Sequence, residues 1–158
     1  MQDAFLIALL YNTGVRIGEA LGLQHTDIDL KNKVIWIIPR DDNENGARAK
    51  SKRTRGIHVH DYLINMYEDY LTSEEYSSAF ETGSKFIFCN IKYGIIGRAL
   101  SFNYVNKLKT YLIRRSQVHF TWHMFRHTHA SNDMNPYLTG SCQASAILIK
   151  ILHNSFPH

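Results

Sequence analysis

Cysteine is scarce in this chain: Cys89 and Cys142 are the only two among 158 residues, and they form no CxxC pair. That excludes a disulfide framework, and it fits a reducing compartment. Proline is nearly as sparse, with three residues. No Pro/Gly/Ser-rich linker, internal repeat or low-complexity tract divides the sequence, so one domain with a sizeable core is expected. No apolar run approaches the roughly 18 residues that a membrane helix requires. The opening stretch, MQDAFLIALLYNTG, carries Asp3 where a signal peptide would carry basic residues. The expected location is the cytoplasm, with no membrane partner. Hydrophobic residues at 44% and charged residues at 20% describe a globular chain, not a disordered one.

What the chain does have is clustered positive charge. The formal net charge is +4, which leans towards an anionic partner. Residues 48–55, RAKSKRTR, hold five basic residues in eight, and 107–115, KLKTYLIRR, hold four in nine. Acids gather elsewhere, in DDNE at 41–44 and in YEDYLTSEEY at 67–76. Taken alone, such basic runs describe a solvated face as readily as a nucleic-acid contact.

Periodicity predicts an α+β chain, mainly α. Residues 2–11 have apolar positions at helical spacing, and Asn12 or Thr13 is placed to cap a second helix. That helix is expected over 15–23, with Val15, Ala20 and Leu23 facing a core and Arg16 and Glu19 sharing another face. KVIWIIP at 33–39 and RGIHVH at 55–60 read as strands joined by a polar turn containing Asn-Gly. KFIFCN at 85–90 reads as a third strand, so a small three-stranded antiparallel sheet is expected. Helices are expected over 61–71, over 101–115 with Ser101 as cap, and from Thr121 onwards.

The stretch TWHMFRHTHAS, 121–131, concentrates His123, Arg126, His127 and His129. A metal site is a poor fit. His123 and His127 share a helix face, but no acid stands between them as in HExxH, and no third ligand is evident. A phosphate clamp fits better. His123 and Arg126 are three apart and project together, a planar guanidinium can grip two phosphate oxygens, and an imidazole can exchange a proton with a third position.

Taken with LLYNTGVRIGEALGLQHTDIDL, a strand and a basic hairpin, this stretch resembles the catalytic domain of the tyrosine recombinases, the phage and conjugative-transposon integrases. The first box of that family is TGxRxxEaLxLxxxDiDl, and HxxRHtHAs is most of its second. The likeness runs from about residue 4 to Ser131. It implies an integrase-type domain over 1–131, with 132–158 as a divergent tail. It makes Arg16 the first catalytic arginine, His123 and Arg126 the second-box pair, and Glu19 a supporting acid. Lys50 becomes the hairpin lysine, with Lys52 as its rival. Lys50, Lys52, Arg53 and Arg55 would contact double-stranded DNA. The implied activity is site-specific recombination: a tyrosine attacks a DNA phosphate, leaves a 3′-phosphotyrosine, and a second strand's 5′-hydroxyl reverses the step. Two arginines neutralise the charge gathering on the non-bridging oxygens. A lysine protonates the leaving oxygen, and a histidine handles the nucleophile's proton. No cofactor is needed, because bond energy is kept in the protein–DNA ester.

After HTHAS the likeness ends. The family's LGH box is not found there, and the one tyrosine beyond Arg126 is Tyr137, eleven residues on and beside Pro136. That is too early for the nucleophile, and the proline breaks the helix it would need. A truncated, inactive recombinase fragment is therefore expected. The alternative is a non-catalytic DNA-binding remnant or decoy module. The likeness also implies self-association through the C-terminal tail.

Overall fold

The apolar stretch Phe5–Leu10 becomes the centre of the molecule. All six residues are at most 1% exposed, on a helix, α1 (Gln2–Thr13), whose hydrophobic residues leave no polar face for solvent. Each of the five larger side chains, all but Ala8, contributes roughly 2 kcal/mol of transfer free energy on burial. The structure is a computed structural model that describes residues 1–48, 52–126 and 149–150. Around α1 are arranged α2 (Ile17–Leu21), α3 (Asp61–Leu71), α4 (Glu74–Glu81) and α5 (Phe102–Ser116). A sixth helical stretch, α6, covers 122–126. Helices α1 and α3 pack through Phe5, whose ring lies 5.8 Å from Tyr67 and 6.1 Å from Tyr70.

The sheet has three antiparallel strands in the order β1 (Ile28–Asp29), β2 (Val34–Ile37), β3 (Arg55–His58). Strands β2 and β3 stand where the alternation places them, with Ile35 opposite Ile57 and Ile37 opposite Arg55. The third strand does not. Residues 85–89 form no ladder, only isolated bridges, Gln24 with Phe86 and Cys89 with Ala99. Their apolar character serves burial: Phe88 stacks on Phe5 at 5.5 Å, and Phe86 to Cys89 are all buried. The third strand is Ile28–Asp29, folded back on β2 through a tight turn in which Lys33 takes φ 53°.

Asn12 and Thr13 do not cap α2. They lie inside α1 and donate to the carbonyls one turn back, Ala8 and Leu9, each at 2.7 Å. Gly14 ends α1 in the left-handed region, φ 60°, with its amide on the Leu10 carbonyl. That conformation suits a residue without a β-carbon. The cap of α2 is Arg16, in extended backbone. Ser101 caps α5 as the sequence predicts, accepting from the Tyr104 amide at 3.2 Å.

One half-buried polar group stands out among these aromatics. His25 Nδ1 lies 2.8 Å from the Tyr67 hydroxyl and Nε2 lies 2.6 Å from that of Tyr76. Burial holds the imidazole below its ordinary histidine range. The unfolded chain then binds the extra proton, so stability rises with pH up to the ordinary value near ~6.5 and falls as pH drops below it. Thermal unfolding from pH 7.5 down to 4.5 should therefore show a shallower loss of Tm in His25→Gln than in the unmodified chain. Equal slopes would refute this role.

Candidate active site

Gly14 and Arg16 sit in the three-residue link between α1 and α2, so the end of the central helix fixes where Arg16 begins. The Arg16 side chain is 38% exposed, and its guanidinium lies 3.5 Å from Oε1 of Glu19, whose side chain is 0% exposed. The Arg16 amide donates to Glu19 Oε2 at 2.9 Å. Glu19 has a second cationic partner, which no sequence spacing points to. Arg55, at the start of β3, donates from Nη1 to Oε1 at 3.2 Å and from Nη2 to Oε2 at 2.8 Å. Burial pushes the Glu19 carboxyl up. The hydrogen bonds from Arg55 and from the Arg16 amide, with the two guanidinium charges, outweigh it and hold the group below the usual carboxylate range.

The second motif arrives from the far end of the chain. Arg126, on α6, donates from Nη1 to the Gly14 carbonyl at 2.9 Å, across 112 residues of sequence. The Arg126 side chain thus reaches the backbone of the short link that carries Arg16. His123 is exposed and lies one turn before Arg126 on the same helix. The helix is held by its apolar side: Phe125 is buried, and its ring packs at 6.5 Å against Tyr11 of α1 and at 5.5 Å against Phe120.

The lysine-bearing connection from β2 to β3 approaches the same place. Its start is fixed by Arg40, which forms a two-pronged pair with the buried Asp27 carboxylate at 2.7 and 2.8 Å. Its middle is sewn down by Asn45, which donates to the carbonyls of Leu21 and Leu100 at 3.1 and 2.8 Å. Glu44 adds a bond from the Ala99 amide at 2.6 Å. The Arg48 backbone then passes α2 so closely that a β-carbon on Gly18 would stand 3.2 Å from its carbonyl oxygen. Residues 49–51 lie outside the described residues, and with them Lys50. Lys52 and Arg53 are exposed in the bend that leads into β3. His127, His129, Tyr137 and the rest of 127–158 also lie outside the described residues, apart from 149–150.

Motif and spacing point to Arg16, Glu19, His123 and Arg126, and they place Arg55 among the DNA contacts. They do not reveal the Asp27–Arg40 pair or the bond between Arg55 and Glu19. The signal for the first is present, an aspartate within TDIDL and an arginine straight after the strand, but spacing alone does not join them.

Among the described residues no helix is long and apolar enough to cross a membrane. The family model for the phage integrase family matches residues 1–135. Transposase A from transposon Tn554 of Staphylococcus aureus is 38% identical over 130 residues, covering 82% of this chain and 35% of that protein. Tyrosine recombinase XerC of Chlamydia pneumoniae is 29% identical over 134 residues, covering 84% of this chain and 38% of its own length. The chain thus spans little more than a third of the curated relatives it matches. Among solved structures, the Tn1549 transposon integrase in complex with transposon right end DNA superposes with a TM-score of 0.59 at 19% identity, over 98% of this chain and 54% of that one. At that identity the likeness is one of fold. With a model match over most of its length, the chain belongs to the phage integrase family, the tyrosine recombinases.

Proposed function

We propose that this chain supplies the phosphate-binding part of a site-specific DNA recombinase, with residues 1–131 as its catalytic domain and 132–158 as a divergent tail. The observation that carries this reading is the bond from Arg126 to the Gly14 carbonyl, two residues from Arg16. It brings the Arg126 guanidinium, from the far end of the sequence, to the backbone of the link that carries Arg16. In the reaction Arg16 and Arg126 neutralise charge on the non-bridging oxygens of the attacked phosphate. His123 handles the proton of the nucleophile. Lys50, with Lys52 as the rival, protonates the leaving 5′-oxygen. The substrate is double-stranded DNA; the Tn1549 integrase was solved in complex with transposon right end DNA and with a circular intermediate DNA. The setting is the cytoplasm, and the tail is the segment through which copies would associate. For the 158-residue polypeptide taken alone, binding without cleavage is the second reading. It is favoured by the position of Tyr137, which stands only eleven residues after Arg126 and beside Pro136.

Binding is tested directly. Fluorescence anisotropy with a labelled duplex should show affinity that falls about a hundredfold between 50 and 200 mM salt, as expected for roughly four phosphate contacts. Unrelated duplexes should bind nearly as well, because phosphate contacts carry no sequence information. Changing Lys50, Lys52 and Arg53 together to glutamate should abolish most of this binding. A chain that binds no duplex even at low salt would refute the proposal.

A further inference from the structure

We propose that Arg55 is a positioning residue for Arg16, acting through Glu19, and not a contact to DNA. The inference rests on the reading of Arg16 as a phosphate ligand.

Three observations carry it. The first is direction. Along β3, Arg55 and Ile57 alternate with the exposed Gly56 and His58, and Ile57 packs against the core. The strand's period of two therefore turns Arg55 inwards, towards α2. The second is commitment. Both terminal nitrogens of Arg55 are engaged on the two oxygens of one carboxylate, at 3.2 and 2.8 Å. The third is what Glu19 would require without it. Its side chain is wholly buried, and its remaining partners are the Arg16 amide at 2.9 Å and the Arg16 guanidinium at 3.5 Å. A buried carboxylate with too few donors either takes up a proton or draws the nearest cation inwards. The nearest remaining cation is Arg16. Arg55 thus satisfies Glu19 so that the Arg16 guanidinium can face the anion.

The same pair has a consequence for the hairpin. Arg40 and Arg55 stand near the two ends of the β2–β3 connection, and each is clamped in two-pronged fashion to a buried carboxylate, Asp27 and Glu19 respectively. The first motif box therefore anchors both ends of the segment that carries the lysines. Displacing either end would move them relative to Arg16.

A lysine substitution separates the two roles. A phosphate contact needs a point charge, which lysine supplies. A two-pronged carboxylate clamp needs the planar fork, which lysine lacks. The full 158-residue chain is titrated with inorganic phosphate while the Arg16 Nε–Hε signal is followed by NMR. Salt dependence of duplex binding is measured in parallel. Arg55→Gln should weaken phosphate binding about tenfold, Arg55→Lys should not restore it, and both should leave the salt slope of duplex binding unchanged. In a Glu19→Gln background, Arg55→Gln should add nothing. The proposal is overturned if Arg55→Lys binds phosphate as the unmodified chain does. It is equally overturned if Arg55→Gln lowers the salt slope by about one, the signature of a lost phosphate contact. Circular dichroism melts identify any variant that does not fold, and Arg55→Lys then decides alone. Arg16→Gln is the control for the reading beneath. If it leaves phosphate binding intact, Arg16 is no phosphate ligand. If it abolishes binding while Arg55→Gln does not affect it, only the present inference fails.

Discussion

Asp27→Ala is expected to destabilise the domain by about 3–5 kcal/mol, the cost of stripping one partner from a buried ion pair. The Asp27 side chain is 0% exposed and that of Arg40 18%. Oδ1 accepts from Arg40 Nη2 at 2.7 Å, and Oδ2 accepts from Arg40 Nη1 at 2.8 Å and from the Gln24 amide at 2.9 Å. Removing the carboxylate leaves a cation and a backbone donor without their acceptor. For a chain of this size the loss corresponds to a fall in Tm of roughly 10 °C. Asp27→Asn should cost about half as much, because the amide keeps one acceptor oxygen but turns its NH2 towards the guanidinium. Duplex affinity should fall as well, since Arg40 fixes the start of the connection that carries the lysines. Urea unfolding at pH 7 measures the stability change. A loss below about 1 kcal/mol would mean that the pair is a surface contact in energetic terms.

The same residues mark what a sequence can and cannot disclose. Local order is legible. The helix expected over 61–71 has those bounds in the structure, Asp61–Leu71, because its apolar positions recur with helical period and Asp61 opens it. Arg16 and Glu19 can be paired from their spacing of three, although the structure joins them as cap and third helical residue of α2 and not across a shared helix face. The third strand is not legible. Ile28–Asp29 is two residues long, too short for any period, while the apolar run at 85–89 imitates a strand through its burial alone. Helix α4, Glu74–Glu81, reads in the sequence only as a cluster of acids. Long-range pairings are beyond reach: Arg55 and Glu19 lie 36 residues apart, and the charge of Arg55 within a basic run suggests DNA. The strand's alternation assigns Arg55 to the inward face with Ile57, which is the available clue. The bond between Arg126 and Gly14 is the same kind of case. The motifs name both segments, but only the fold brings one to the backbone of the other.

The 158-residue polypeptide, incubated with a nicked attachment-type duplex, is expected to form no covalent adduct. The reason is chemical. Arginines stabilise a transition state only when a nucleophile can reach it, and losing a nucleophile costs on the order of 10⁶ in turnover. The described tyrosines of α5 are poor substitutes. The Tyr104 hydroxyl donates to Asp3 at 2.9 Å. Burial and that neighbouring carboxylate push its pKa up, opposite to what an attacking phenolate requires. Tyr111 is exposed and opens on a cleft shared with Met1, Asp3, Glu75 and Lys92, and none of the described residues that the motifs single out lines that cleft. Tyr137 stands two residues after Asn135 and one after Pro136, and it would have to enter the pocket of its own or a neighbouring subunit. A denaturing gel reads the outcome. A shifted band that vanishes in Tyr137→Phe would overturn the prediction and make Tyr137 the nucleophile. A band that persists in Tyr137→Phe would overturn it too, and would direct attention to Tyr104 and Tyr111. No band, together with salt-sensitive binding of the same duplex, fits a phosphate pocket that grips DNA while the attacking hydroxyl comes from outside these 158 residues.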